Sequence, residues 1–160
     1  MLVATDGSCL RNPGGATGWA FAFENGYWEA GGIPRGTNQV GELLAVLMLL
    51  RSFPSTPLTI QCDSAYVIGI CTKWKRSWQR KNYLKDDGTE RPNKKIILPI
   101  HHLLDSAESK IDFVKVPGHD PKNRFPLNTL ADTKARMAAR ESKKKGIELS
   151  FVNENRSKPA

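Results

Sequence analysis

The sequence predicts an α/β fold, a five-stranded mixed sheet with three antiparallel strands plus parallel strands, flanked by helices. Three observations predict it. The segments alternate in the order β-β-β-α-β-α-α-α-β-α, which places helices on the faces of one sheet. Two β-prone runs, Trp19 to Glu24 and Tyr27 to Ala30, flank Asn25-Gly26, a strong short-range hairpin signal, so the first three strands are antiparallel neighbours. An amphipathic helix separates the run Leu2 to Asp6 from Leu58 to Cys62. Such a crossover makes these two strands parallel.

The first strand delivers Asp6, and Gly7-Ser8 lets the backbone turn just beyond it. Gly7 to Gly18 reads as a turn segment, with Asn12-Pro13-Gly14-Gly15 its strongest breaker. Gly31 to Gly36 reads as a loop. Thr37 or Asn38 then caps a helix that runs to about Arg51, with Val40, Leu43, Leu44, Leu47 and Leu50 at helical spacing. Glu42 lies at the edge of that apolar face. Pro54 and Pro57 end the segment, and the next strand closes on Asp63-Ser64 as the first closed on Asp6-Gly7. A short helix from Ser64 to Cys71 and a basic, Trp-rich stretch follow. A helix from Lys94 or Ile96 to Ala107 tolerates Pro99 only in its first turn. Ile111 to Val116 alternates as a strand, Pro117 to Pro126 is a loop carrying His119 in Gly/Pro-flanked, mobile surroundings, and Leu127 to Lys145 is the last helix. One catalytic domain is expected over residues 1–146, with a basic protrusion at about 73–95. A polar tail covers 147–160, extended at most over Ile147 to Val152 and frayed beyond.

At 160 residues the chain is long enough for one domain with a real core. Its net charge of +8 points to an anionic partner, with nucleic acid first among the choices. Nine basic residues stand against three acidic ones between Lys73 and Lys95, so that segment carries most of the excess. Trp74 and Trp78 lie one helical turn apart inside it. Tryptophans resting on the core would explain them, but basic charge interleaved with aromatics is also the make-up of a phosphate-backbone surface, which is the reading favoured here. Cys9, Cys62 and Cys71 are odd in number and lack metal-like spacing, which implies free thiols in a reducing, cytoplasmic setting. No apolar run approaches membrane-spanning length. His101-His102 is a weak metal signal, because adjacent helical residues point in different directions.

Four acids stand out by position: Asp6 and Asp63 at strand ends, Glu42 on the crossover helix and Asp132 on the last helix. Each alone has a dull explanation. Together they suit a two-metal centre, because hard divalent cations take oxygen ligands and relieve the repulsion among crowded carboxylates.

On these residues the chain resembles type 1, bacterial-type ribonuclease H. The matching pieces are Thr5-Asp6-Gly7-Ser8-Cys9 with Asn12-Pro13-Gly14; Thr37-Asn38-Gln39 with Glu42-Leu43; Asp63-Ser64 with Tyr66; Trp74, Trp78 and Tyr83 in a basic context; Gly118-His119; and Asn128 with Ala131-Asp132. The resemblance implies a two-metal endonuclease for the RNA strand of RNA–DNA hybrids, leaving 5′-phosphate and 3′-hydroxyl ends. It implies two Mg²⁺ in the substrate complex, with Mn²⁺ an admissible substitute. Asp6 would bridge both ions, Glu42 and Asp63 would complete one site, and Asp132 would hold the ion that activates water. His119 would assist proton transfer or product release. Cys9 to Asn12, Asn38 and Gln39 would line the minor groove on the RNA side, Arg35, Thr37 and Asn93 would grip a DNA-strand phosphate, and Trp74 and Trp78 would belong to the protrusion that cradles the DNA. A monomer with no obligate protein partner and no membrane association is implied.

Some features depart from the family pattern. Gly41 precedes Glu42 and lowers helix propensity. Ala65 follows Asp63-Ser64 in place of a polar residue, and the loop from His119 to Asp132 is Pro-rich and long. Two competing readings are a non-catalytic nucleic-acid-binding module on the same fold, and a transposase or junction-resolving nuclease of the same superfamily.

Overall fold

A computed structural model describes residues 1–160. Its strands are β1 (Leu2–Cys9), β2 (Thr17–Phe23), β3 (Trp28–Ile33), β4 (Leu58–Cys62), β5 (Ile111–Lys115) and β6 (Leu149–Val152). Its helices are α1 (Asn38–Ser52), α2 (Ala65–Cys71), α3 (Lys75–Arg80), α4 (Lys94–Asp105) and α5 (Pro126–Lys145). The sheet order is β5-β4-β1-β2-β3-β6. β1 pairs antiparallel with β2 and parallel with β4, and β4 pairs parallel with β5. The register sets Asp6 opposite Ala20 and Thr5 opposite Cys62, so Asp6 and Asp63 emerge side by side at one end of neighbouring strands.

The sheet therefore has six strands, not five. β6 adds to the outer edge of β3 through Gly32↔Leu149 to Glu29↔Val152. It is only four residues long, Leu149-Ser150-Phe151-Val152, so its hydrophobic pattern is too short to read as a paired strand. Two boundaries also shift. β3 continues to Ile33 where a loop was expected from Gly31. Pro99 sits in the second turn of α4, and the backbone amide it lacks would have bonded to the carbonyl of Lys95, an exposed residue.

The two faces of the sheet are covered differently. On one face α1 and α4 enclose a large apolar cluster around Phe21, Phe23, Leu43, Leu49, Leu50, Ile60 and Ile97. On the other, α5 rides on alanines: Ala20 and Ala30 against Ala135 and Ala138, and Ala4 and Ala22 against Ala131. Small residues let the backbones come close. A Cβ at Gly18 would stand 1.9 Å from the Ala135 carbonyl oxygen. That proximity brings Asp132, one residue past Ala131, over the end of β1.

His101 is fully buried and serves structure, not metal. Its Nε2 donates to the Ile70 carbonyl (2.9 Å), so its Nδ1 accepts from the Tyr83 hydroxyl (2.8 Å). Burial holds its pKa below the ordinary histidine value. These bonds tie the middle of the basic protrusion, at Tyr83, and α2 to α4, while His102 is exposed.

The tail beyond β6 is not frayed either. Asn153 Nδ2 donates to the Gly26 carbonyl (2.8 Å), Asn25 Nδ2 to that of Ser157 (3.0 Å) and Thr56 Oγ1 to that of Ala160 (2.8 Å). Lys158 lies over the Phe53 ring and Pro159 is buried. A chain ended at Gly146 loses β6 and this clamp. The expected cost is about 2 kcal/mol, or roughly 4–8 °C in the thermal midpoint, read from calorimetric scans.

Candidate active site

Asp6, Glu42 and Asp63 converge as the parallel strands and crossover helix require, with one carboxylate oxygen of each within 4.8 Å of the others. Asp6 projects from β1 and is 4% exposed, and one of its oxygens accepts from the Gly7 amide (2.9 Å). Burial first, then the Asp63 charge, pushes its pKa up to about 7. Glu42 comes from the first turns of α1, whose N-terminus is capped by Thr37 Oγ1 accepting from the Val40 amide (3.0 Å). Its carboxyl lies well above the usual range, again through burial and then the neighbouring Asp6, and its Oε2 has no hydrogen-bond partner. Asp63 follows β4, and Ser64 caps α2 immediately after it (3.2 Å to the Val67 amide). Burial raises its pKa, opposed by the Lys115 ammonium.

Asp132 stands on the opposite wall. It lines a polar recess with Asp6, Asp63, His119, Asn128 and Thr129, but it is outside the close trio. Its Oδ1 accepts from Arg136 Nε at 3.1 Å. The fourth predicted ligand thus faces the other three and is already paired.

The His119 loop is more ordered than its Gly/Pro content suggests. Asp120 accepts from the amides of Lys122 (3.2 Å) and Arg124 (2.9 Å), and from Arg124 Nε (2.9 Å). The Arg124 side chain is the main reason the Asp120 carboxyl is held down at about 2. This carboxylate folds the loop back on itself and sets His119 at a positive φ of 52° at the mouth of the recess. A Cβ at Gly118 would lie 3.0 Å from Asp63 Oδ2, so the loop passes directly over the acids. Arg136 Nη2 donates to His119 Nε2 (3.3 Å), which places the proton of a neutral ring on Nδ1.

A cleft of about 420 Å³ continues from the acids along Cys9, Leu10, Asn38, Arg136 and Arg140. Asn38 knits its near rim: its Oδ1 accepts from the Cys9 amide (2.9 Å), and its own amide donates to Asn12 Oδ1 (3.1 Å). A second groove of about 590 Å³ is lined by Gln39, Tyr66, Trp74, Trp78, Lys85 and Arg91. Trp74 and Trp78 stack with centroids 5.8 Å apart, and Arg91 lies 4.2 Å over the Trp78 ring. Trp78 is 8% exposed and belongs to the core cluster, so it acts as a platform under Arg91 while Trp74 is the more open ring. Arg35 is exposed ahead of α1, and Asn93 opens α4 in the left-handed conformation. No hydrogen bond links either of these to Thr37, which is occupied as a helix cap.

Four residues on these walls have no role assigned from the sequence alone, Asn128 among them although it lies in the matching motif. Asn128 is buried with an unpartnered Oδ1 beside the acids. Arg136 and Arg140 sit four and eight residues after Asp132, a helical spacing that signals one face. Arg91 was counted only as charge.

Residues 1–140 match the RNase H family model. The chain belongs to the RNase H family. It is 39% identical over 142 residues to a ribonuclease H of Tropheryma whipplei (strain Twist), covering 87% of this chain and 84% of that one. It is 36% identical over 144 residues to the ribonuclease HI of Streptomyces coelicolor, covering 86% of this chain and 61% of that one. A crystal structure of LC9-RNase H1, a type 1 RNase H with the type 2 active-site motif, superposes with a TM-score of 0.71 at 21% identity, covering 94% of this chain and 77% of that one. The acidic trio on the RNase H sheet is a buried cluster able to coordinate a divalent metal. A divalent cation would give the orphaned Glu42 Oε2 a partner and offset the repulsion that raises these carboxyls, so the residues present fit such an ion. No helix is long and apolar enough to cross a membrane.

Proposed function

We propose that this chain is a Mg²⁺-dependent endonuclease that hydrolyses the RNA strand of RNA–DNA hybrids to 5′-phosphate and 3′-hydroxyl ends. The single observation that carries this is the convergence of Asp6, Glu42 and Asp63 opposite Asp132, in a cleft on the RNase H sheet whose other wall carries Arg136 and Arg140. Asp6, Glu42 and Asp63 would hold one divalent ion, and Asp132 would contribute to a second, with Mn²⁺ able to replace Mg²⁺. Bound there, the ions lower the pKa of a water and neutralise charge at the leaving oxygen.

The protein's own groups do the rest. Asp6 and Glu42 are too deeply buried to ionise together cheaply, so the site favours cations over solvent. His119 stands exposed at the cleft mouth, where an imidazole suits proton exchange with departing product. Cys9 and Asn38 line the route the RNA strand takes, with Asn12 bonded behind Asn38, and Gln39 stands where that route meets the tryptophan groove. The basic tryptophan groove, with Arg91 and Lys85, takes the DNA backbone, and Arg35, Thr37 and Asn93 grip one of its phosphates. These contacts read backbone and the 2′-hydroxyl, so cleavage is nearly independent of sequence. The protein acts as a cytoplasmic monomer.

Labelled hybrid, double-stranded RNA and double-stranded DNA, each with Mg²⁺ or with EDTA, test this reading. The expected result is cleavage of the RNA strand of the hybrid alone, and only with Mg²⁺. A folded sample that leaves the hybrid intact overturns it. Cutting of double-stranded or branched DNA indicates a transposase-like nuclease instead, and hybrid binding without cleavage indicates a binding module.

A further inference from the structure

Arg136 makes two side-chain contacts that the metal-binding reading of the four acids does not use. Its Nε lies 3.1 Å from Asp132 Oδ1 and its Nη2 lies 3.3 Å from His119 Nε2, so one planar fork joins two groups on different elements. Asp132 has no other ion pair, and no other side chain donates to it. The guanidinium also lines the cleft, with 42% of its side chain exposed to whatever enters. Arg140, one turn further along the same wall, is exposed and has no acidic partner. One wall of the cleft therefore carries three clustered carboxylates with no cation in direct contact. The other carries a single carboxylate already neutralised by an arginine.

We propose that Arg136 is an internal counter-cation and positioning residue. It holds Asp132 and His119 together, and it keeps Asp132 from taking a metal ion until the phosphate of a bound strand draws the guanidinium away. The chemistry is an exchange of partners. An arginine fork binds phosphate at least as well as carboxylate, and often bidentately. When a strand lies in the cleft, Arg136 turns from Asp132 to a phosphate oxygen, and Asp132 is freed at the moment a second ion has a phosphate to bridge. Before that, a cation approaching Asp132 meets a like charge beside its ligand. An ion approaching Asp6, Glu42 and Asp63 would meet no cation in direct contact with its ligands, Lys115 acting on Asp63 only from beyond salt-bridge range, so occupancy is ordered: first the trio, then Asp132 with substrate. This inference rests on the metal-binding reading of the four acids.

The experiment is a calorimetric titration of chelator-stripped protein with Mg²⁺, without nucleic acid, at fixed pH and ionic strength. Arg136→Gln removes the positive charge and keeps much of the shape. Its Mg²⁺ affinity is expected to rise about threefold to tenfold, because one cation is gone from the edge of the site. The gain is expected to vanish in the Asp132→Asn background, which assigns it to that carboxylate. Hybrid cleavage by Arg136→Gln is expected to fall in kcat with little change in KM, since Asp132 and His119 lose their common support. Tighter metal binding with slower turnover is a pairing that simple loss of structure does not produce. Arg136→Lys keeps the charge without the fork. It should bind Mg²⁺ like the parent and still turn over slowly, and it carries the test if the Gln variant does not fold. An unchanged or weaker Mg²⁺ affinity in Arg136→Gln overturns the proposal, as does a gain that persists in Asp132→Asn or one that also appears in Arg136→Lys. Failure of the underlying reading looks different: the parent protein would itself bind no Mg²⁺ at the trio.

Discussion

Asp6→Asn is expected to abolish hybrid cleavage, by about a thousandfold or more, and at the same time to stabilise the metal-free protein near pH 8. The two effects share one cause. Asp6 is nearly inaccessible, faces Asp63 and Glu42, and has its pKa pushed up to about 7 from an ordinary 3.8. The folded chain thus binds this proton more tightly than the unfolded chain. Its stability rises as pH falls from about 8 toward 4, and below that both states are protonated and the difference disappears. At 1.36 kcal/mol per pKa unit, the ionised side chain costs the empty fold on the order of 4 kcal/mol above pH 7. Asparagine carries no charge to desolvate and can still accept from the Gly7 amide. Chemical denaturation in EDTA at pH 8 and pH 4, alongside the cleavage assay, measures both effects. The expected outcome is an inactive variant more stable than the parent at pH 8 and indistinguishable from it at pH 4. Saturating Mg²⁺ should erase the stability gap at pH 8 or reverse it, because only the parent then gains the full binding energy. A variant that is inactive and equally destabilised at both pH values would mean that Asp6 is a structural acid.

The carboxylates were legible because each is bound to a local pattern that survives in one dimension: a β run ending in an acid, an amphipathic helix with an acid at its edge. Parallel pairing of β1 with β4 follows from the crossover rule, and it puts Asp6 beside Asp63 without further information. What escaped notice depends on contacts between distant segments. Arg136 shows its role only once the loop holding His119 folds across α5. His101 looks like half of a weak metal pair until Tyr83 and the Ile70 carbonyl claim both ring nitrogens. The extended run within Ile147 to Val152 is readable, but its pairing as β6 depends on the free edge of β3, and that edge is invisible in the tail's own composition. The loop after β5 reads as mobile by its prolines and glycine, yet one carboxylate, Asp120, gathers it. The order of the tail beyond β6 has the same origin, because its polar character hides how many of its groups return to the β2–β3 hairpin.

Gly7→Ala is expected to cost both stability and turnover, for a reason the sequence reading placed elsewhere. Gly7 reads as the residue that turns the chain after Asp6. In the structure there is no turn there: β1 continues to Cys9, with Gly7 paired to Trp19. What the glycine provides is room. A Cβ at this position would lie 2.2 Å from the Glu42 backbone nitrogen and 2.3 Å from the Gly41 carbonyl carbon. These are main-chain atoms of α1, which cannot rotate aside. Gly41 makes the reciprocal approach, since its own Cβ would meet the Gly18 carbonyl oxygen at 2.6 Å. The glycine that lowers the helix propensity of α1 is therefore where the helix touches the sheet, and Glu42 reaches Asp6 because of it. A methyl group at Gly7 must push the start of α1 outward, at about 1–3 kcal/mol for an overpacked contact with little freedom to relax. The same displacement carries Glu42 away from Asp6 and Asp63. Thermal unfolding should show the stability loss, and Mg²⁺ titration should show weaker binding at the trio even in the fraction that remains folded. Ser8→Ala, one residue on, adds no atom at this contact and should leave the thermal midpoint nearly unchanged. If Gly7→Ala matched the parent in Mg²⁺ affinity and in cleavage, α1 would have to be free to shift against β1, and close packing would not be what sets the position of Glu42.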